Sequence, residues 1–152
     1  MRPFVPRGWF GGKRYLLVGE APGQDEDENS GRPFTGKAGK LLQRLIKSAG
    51  FLPVDVALVN ANRCRPRDNA TPTIKQIRAC RPFLVNVILR LQPEYVIALG
   101  ATAVAALTND GTRRTLRGVR GRLLTIPMSG PVESQEAPES NSDGGAAIPL
   151  QG

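Results

Sequence analysis

The sequence predicts an α/β protein on a mostly parallel sheet, and three observations carry that prediction. Apolar runs of four or five residues alternate with helical patterns three times along the chain. Such alternation is the mark of strand–helix–strand units, whose crossovers leave neighbouring strands parallel. Each run gives way to a glycine or an asparagine and then to a loop or helix start, as at the edge of a sheet. A length of 152 residues with 40% apolar content is enough for one core and too little for two.

The elements follow in order. Tyr15 to Val18 is the first strand, stopped by Gly19. Over Ala38 to Ala49, Leu41, Leu42, Leu45, Ile46 and Ala49 recur on one helical face, and Gly50 is a plausible C-terminal stop. Val56 to Val59 is the second strand. Thr71 and Pro72 offer an N-cap and first-turn start for a helix to about Leu91, kinked or broken at Pro82. Tyr95 to Leu99, closed by Gly100, is the third strand, with a short small-residue helix behind it from Ala101 to Leu107. Arg122 to Ile126 is read as a fourth strand. Beyond Met128 the chain is rich in Ser, Pro, Gly and Glu without apolar periodicity, which predicts a domain over 1–127 and a disordered acidic tail over 128–152.

Charge divides along the same line. The chain carries +8 overall, but residues 1–127 hold 21 bases against 9 acids, or +12, whereas the tail holds four acids and no base. A body so charged attracts polyanions, and a merely soluble basic surface is the plainer reading of the same numbers. No apolar run approaches the ~20 residues of a membrane span and no signal peptide is recognisable, so the expectation is an intracellular, cytoplasmic protein without a membrane partner. Two cysteines are too few for a disulfide scaffold, and there is no histidine. Chemistry is left to carboxylates, amides and backbone.

In open α/β sheets ligands bind off the carboxyl ends of the strands. Three segments lie there: Gly19 to Lys37, Asn60 to Thr71, and Gly100 with Ala101. The first, GEAPGQDEDENSGRPFTGKAG, is glycine-rich and opens a helix, but it lacks both common phosphate-loop patterns, and four successive acids repel phosphate. The second, NANRCRPRDNATP, sets asparagines at a strand end, where an amide offers both a donor and an acceptor to the edge of a base.

GEAPG followed by EDE, then GRPFTGKAGKLL, NANRCRP, CRPFL and VIALGATA, in that order and spacing, resemble the family 4, iron–sulfur branch of the uracil-DNA glycosylase superfamily. The resemblance runs from about Tyr15 to Leu107, with a weaker echo at Leu116 to Gly121. It implies a three-layer α/β/α sandwich around a mostly parallel four-stranded sheet. It also implies a DNA-repair hydrolase, here expected to be a monomer, that excises uracil from single- and double-stranded DNA. Acids amid bases then make chemical sense, because breaking a base–sugar bond passes through an oxocarbenium-like sugar that a carboxylate and a positioned water stabilise. The base must first be flipped, stacked and read along its polar edge.

By the same resemblance Phe34 is the stacking ring and Asn60 the reader of the uracil edge. Glu26 is the acid tied to the water and Asn69 a second polar group near it. Gly19, Glu20, Ala21, Pro22 and Gly23 line the pocket, with Gly23 and Gly31 allowing DNA to approach. Cys64 and Cys80 match the later half of the four cysteines that ligate a [4Fe-4S] cluster, and the earlier Cys-x-x-Cys pair is absent. A late His-Pro-Ser-like motif of the family has no counterpart here, so the chain looks like a member shortened at both ends. Each residue also has a plainer reading: Phe34 as core packing, Asn60 as a loop cap, the acids as a solvated loop. Arg63, Arg65, Arg67 and the group Arg113, Arg114, Arg117, Arg120 and Arg122 are expected to contact phosphates or to form a solvated face. An inactive DNA-binding module of the same fold and a small-nucleotide-binding protein remain the alternatives to an active glycosylase.

Overall fold

Side-chain alternation along the strands decides the layers. The structure, a computed structural model, describes residues 9–10, 12–30, 33–109, 116–124 and 126–128. In chain order its strands are β1 (Trp9–Phe10), β2 (Tyr15–Gly19), β3 (Val56–Asn60) and β4 (Tyr95–Ala98), and its α-helices are α1 (Lys37–Ser48), α2 (Ile74–Leu91), α3 (Ala101–Thr108) and α4 (Leu116–Val119). The sheet order is β1-β3-β2-β4. β2 lies between β3 and β4, parallel to both, with Tyr15 opposite Val56 on one side and Tyr95 on the other.

Successive strand residues point to opposite faces. Leu16 and Val18 of β2, with Ala57 and Val59 of β3, pack against Ile77, Leu84 and Ile88 of α2 and Ala103, Ala105, Ala106 and Leu107 of α3. The intervening Leu17, Val56 and Leu58 face the other way, onto Phe34 and onto Leu42 and Ile46 of α1. Helices therefore cover both faces, and the chain is a three-layer α/β/α sandwich whose central strands are buried on both sides, which is why they read as continuous apolar runs. α1 is the only long helix described on its face; Leu42 and Ile46 reach the sheet, while Leu41 and Leu45 of the same stripe stay exposed. At the amino ends of the strands the Tyr15 ring stacks on Tyr95 with centroids 5.5 Å apart and meets Phe51 edge-on at 4.7 Å. The carboxyl ends carry the polar loops.

Three expectations need correction. The fourth strand is not Arg122 to Ile126: residues 122–124 and 126 belong to no strand, Leu123 is fully exposed, and Ile126 packs on the core without pairing to the sheet. The fourth place is taken by the two-residue β1, antiparallel to β3, with Trp9 opposite Leu58. The N-cap of α2 is Thr73, not Thr71. The Thr73 hydroxyl accepts from the Gln76 N–H at 3.3 Å, and the Gln76 side chain accepts from the Thr73 N–H at 2.8 Å, a reciprocal cap that outcompetes the Thr-Pro start. α2 is also not broken at Pro82; the missing hydrogen bond is tolerated because Ile77, Arg81, Leu84, Val85 and Ile88 are buried along its length. The predicted tail from residue 129 onward lies outside the described residues. Among those described, no helix is long and apolar enough to cross a membrane.

Candidate active site

β2 and β3 end in register, with Gly19 opposite Asn60, and their hydrogen bonding continues past the sheet. Ala61 N–H donates to the Gly19 carbonyl and Asn62 N–H to the Glu20 carbonyl, both at 2.9 Å, so the two loops leave the sheet side by side. Asn62 is itself buried.

At this corner the side chains of Phe34 and Asn60 meet over Gly19. A methyl group added to Gly19 would lie 2.6 Å from Asn60 Oδ1 and 2.7 Å from Phe34 Cζ, inside any permissible contact. Only glycine leaves room for both. Phe34 is held there against its own backbone preference: its φ is 61°, an unfavourable region for a bulky residue. Two features hold it. Gln43 Nε2 donates to the Phe34 carbonyl at 3.3 Å, and the main chain of Phe34 lies directly on Gly39 in the first turn of α1, where an added Cβ would sit 1.9 Å from the Phe34 oxygen. The ring also contacts the core layer of Leu17, Val56 and Leu58, so packing and a site position coincide in one residue.

The acids divide by environment. Glu26 is buried at 8% exposure, and one of its carboxylate oxygens accepts from the Gly23 N–H. The carboxylates of Asp25 and Glu26 both lie beside Gly36, the N-cap residue of α1, where the positive end of the helix favours negative charge. Glu28 lies outward and is paired: Arg65 Nη1 is 2.8 Å from its Oε1, and Gln24 Nε2 donates to its Oε2 at 2.9 Å. The same Arg65 donates through Nε to Asn69 Oδ1 at 2.8 Å. Arg65, expected to contact phosphate or to lie on a solvated face, ties the acidic loop to the second loop. Asp68 and Asn69 have φ of 53° and 52°, a conformation that short amide and carboxylate side chains accept.

Between the two loops opens a pocket of about 230 Å³, lined by Glu20, Ala21, Pro22, Gly23 and Gln24 on one side and Pro66, Asn69 and Ala70 on the other. Of the predicted residues, Glu20 to Gly23 and Asn69 therefore share one cavity, and Gly19, Phe34 and Asn60 form a second cluster adjoining it. Glu26 stands behind Gly23, outside that lining. Sequence reasoning missed Gly39, Gln43 and Thr102. Thr102 of α3 is 1% exposed and donates to Glu20 Oε2 at 2.6 Å. A hydroxyl among alanines in the first turn of a largely apolar helix was the available signal.

Cys64 and Cys80 come close together. Cys80 Sγ accepts from the Arg63 N–H at 3.5 Å, and burial, followed by the charge of Cys80, pushes the Cys64 thiol above its ordinary value. The residues do not fit a [4Fe-4S] cluster, which takes four thiolates where this chain has two. Among the described residues no group of three Cys, His, Asp or Glu could hold a metal ion. Of the other arginines expected to contact phosphate, Arg63 lies over the Phe83 ring at 4.3 Å, Arg67, Arg117, Arg120 and Arg122 are not buried, and Arg113 and Arg114 lie outside the described residues, as does Gly31.

Comparison with known proteins places the chain in a family. A family model described as the uracil DNA glycosylase superfamily matches residues 9–143. The chain is similar to a type-4 uracil-DNA glycosylase of Thermotoga maritima, 43% identical over 108 residues, covering 71% of this chain and 55% of that protein. It is similar to a type-4 enzyme of Pyrobaculum aerophilum, 42% identical over 117 residues, covering 76% and 59%. To a type-5 enzyme of Thermus thermophilus it is 41% identical over 123 residues, covering 70% and 55%. The chain spans a little over half the length of these curated relatives.

Proposed function

This chain belongs to the uracil-DNA glycosylase superfamily, and we propose that it hydrolyses the bond between uracil and deoxyribose in DNA, acting on a base flipped out of the stack. The observation that carries this reading is the meeting of an aromatic ring and an amide over Gly19, at the carboxyl ends of β2 and β3. Stacking captures any flipped base; the amide selects among bases. Uracil presents a carbonyl and a ring N–H on one edge, which the NH2 and oxygen of Asn60 complement together, whereas cytosine cannot match both.

Glu26 supplies the negative charge for the cationic sugar of the transition state. Burial and the Gly23 N–H fix its carboxylate in place, so no reorganisation is needed as charge develops. Asn69, oriented by Arg65, borders the pocket in which the attacking water is held. The water adds to the anomeric carbon as the base departs with the bonding electrons, and the proton that the water sheds balances the charge of the departing uracil anion. No step runs through an iron–sulfur cluster. The basic body, +12 over residues 1–127, draws the phosphate backbone to the site.

Incubation with single- and double-stranded oligonucleotides containing one uracil, followed by alkali, tests the reading. Strand cleavage at the uracil is the expected result. Binding without cleavage would instead identify an inactive DNA-binding module.

A further inference from the structure

We infer that Thr102 is a positioning residue for the excision reaction, acting through Glu20; this rests on the pocket reading above. Glu20 is the first loop residue after β2 and borders the pocket. Its backbone is fixed on one side by Asn62, whose N–H donates to the Glu20 carbonyl at 2.9 Å. Its side chain is fixed on the other by Thr102, 82 residues away, at 2.6 Å. The loop that walls the pocket is thus clamped to the loop after β3 through its carbonyl and to α3 through its carboxylate.

Packing alone does not call for a threonine here. The neighbouring buried positions of α3 are Ala103, Val104, Ala105, Ala106 and Leu107, and valine would fill the volume of Thr102. What threonine adds is a donor, buried at 1% exposure and aimed at an ion; bonds of this kind are short and strong. Thr102 also lies in the first turn of α3, whose positive end favours the carboxylate. Glu20 is exposed as a whole residue, so without the hydroxyl its carboxylate can turn to water instead of being stranded. Loss of the bond therefore frees the loop without unfolding the protein.

Thr102→Val, Thr102→Ser, Glu20→Ala and the double variant Thr102→Val/Glu20→Ala form the test. A hydrogen bond to a charged group corresponds to a ~10- to ~100-fold effect. Thr102→Val should lower kcat/KM on a uracil oligonucleotide by that factor, with melting temperature and affinity for uracil-free DNA unchanged. Thr102→Ser should restore the rate, and Thr102→Val should add nothing in the Glu20→Ala background. The same cycle run on affinity for an oligonucleotide whose uridine carries an uncleavable 2′-fluorine reads the loop without turnover. An inactive parent would therefore sink the glycosylase reading while leaving this test standing. Parent-like behaviour of Thr102→Val in both assays, additive losses in the double variant, or failure of serine to rescue overturns the inference.

Discussion

Gly19→Ala is the sharpest perturbation the structure offers, because one methyl group enters the space shared by the two side chains proposed to hold the base. The added carbon would lie 2.6 Å from Asn60 Oδ1 and 2.7 and 2.9 Å from two carbons of the Phe34 ring. Ordinary contact begins near 3.4 Å, so the amide and the ring must each retreat by about 0.7–0.8 Å. The strand cannot move instead: β2 is the central strand, paired on both sides, and Leu16, Leu17 and Val18 are buried. Overpacking of this kind costs ~1–3 kcal/mol of stability. A ~1 Å misplacement at a site costs ~100-fold in rate. The prediction is a roughly 100-fold fall in kcat/KM for uracil excision, with uracil-free DNA bound as before. Gly50→Ala is the control: it has open space around it but a φ of 79°, so it strains the end of α1 by ~1 kcal/mol without touching the pocket. If Gly19→Ala excises uracil within about threefold of the parent, Phe34 and Asn60 do not hold the base.

Four further outcomes are expected. Asn60→Ala should abolish the preference for uracil and reduce excision by ~100-fold or more, while DNA affinity measured by anisotropy changes less than twofold; equal losses in both would make Asn60 a loop cap. Glu26→Gln keeps the shape and removes the charge, so a ~100- to ~1000-fold loss in kcat is expected in single-turnover assays, and a parent-like rate would return Glu26 to a structural role. DNA binding should weaken steeply with salt, given +12 over residues 1–127, and a flat log–log plot would refute an electrostatic interface. The Cys64 thiol, pushed up by burial and by Cys80, should be alkylated by iodoacetamide more slowly than free cysteine at neutral pH; because the fold favours the protonated thiol, stability should be full below the ordinary thiol range and fall as pH rises through it, a fall that Cys64→Ala should flatten.

Periodicity made the layers legible. Tyr15 to Val18, Val56 to Val59 and Tyr95 to Leu99 are short, apolar and separated by helical patterns, and a sheet buried on both faces leaves that trace in sequence. The location of the candidate site was read from topology, and the loops after Gly19 and Asn60 do leave the same edge of the sheet. What escaped was set by contacts that no period encodes. Leu123 lies in a run as apolar as a strand, yet nothing packs on it, and the sheet is completed instead by the two residues Trp9–Phe10. Arg65 looked like any loop arginine until Glu28, 37 positions earlier, proved to be its partner. The left-handed φ of Phe34 is invisible from its own residue type and follows from Gly39, which lets the Phe34 main chain rest on α1. Thr102 shows where such information can still be sought: a hydroxyl inside ATAVAALT is isosteric with the valine that would suffice for packing, so its presence asks for an acceptor. The acceptor is Glu20, and the fold brings it there only because β2 and β4 are neighbours in a parallel sheet, which sets the loop after one strand against the helix after the other.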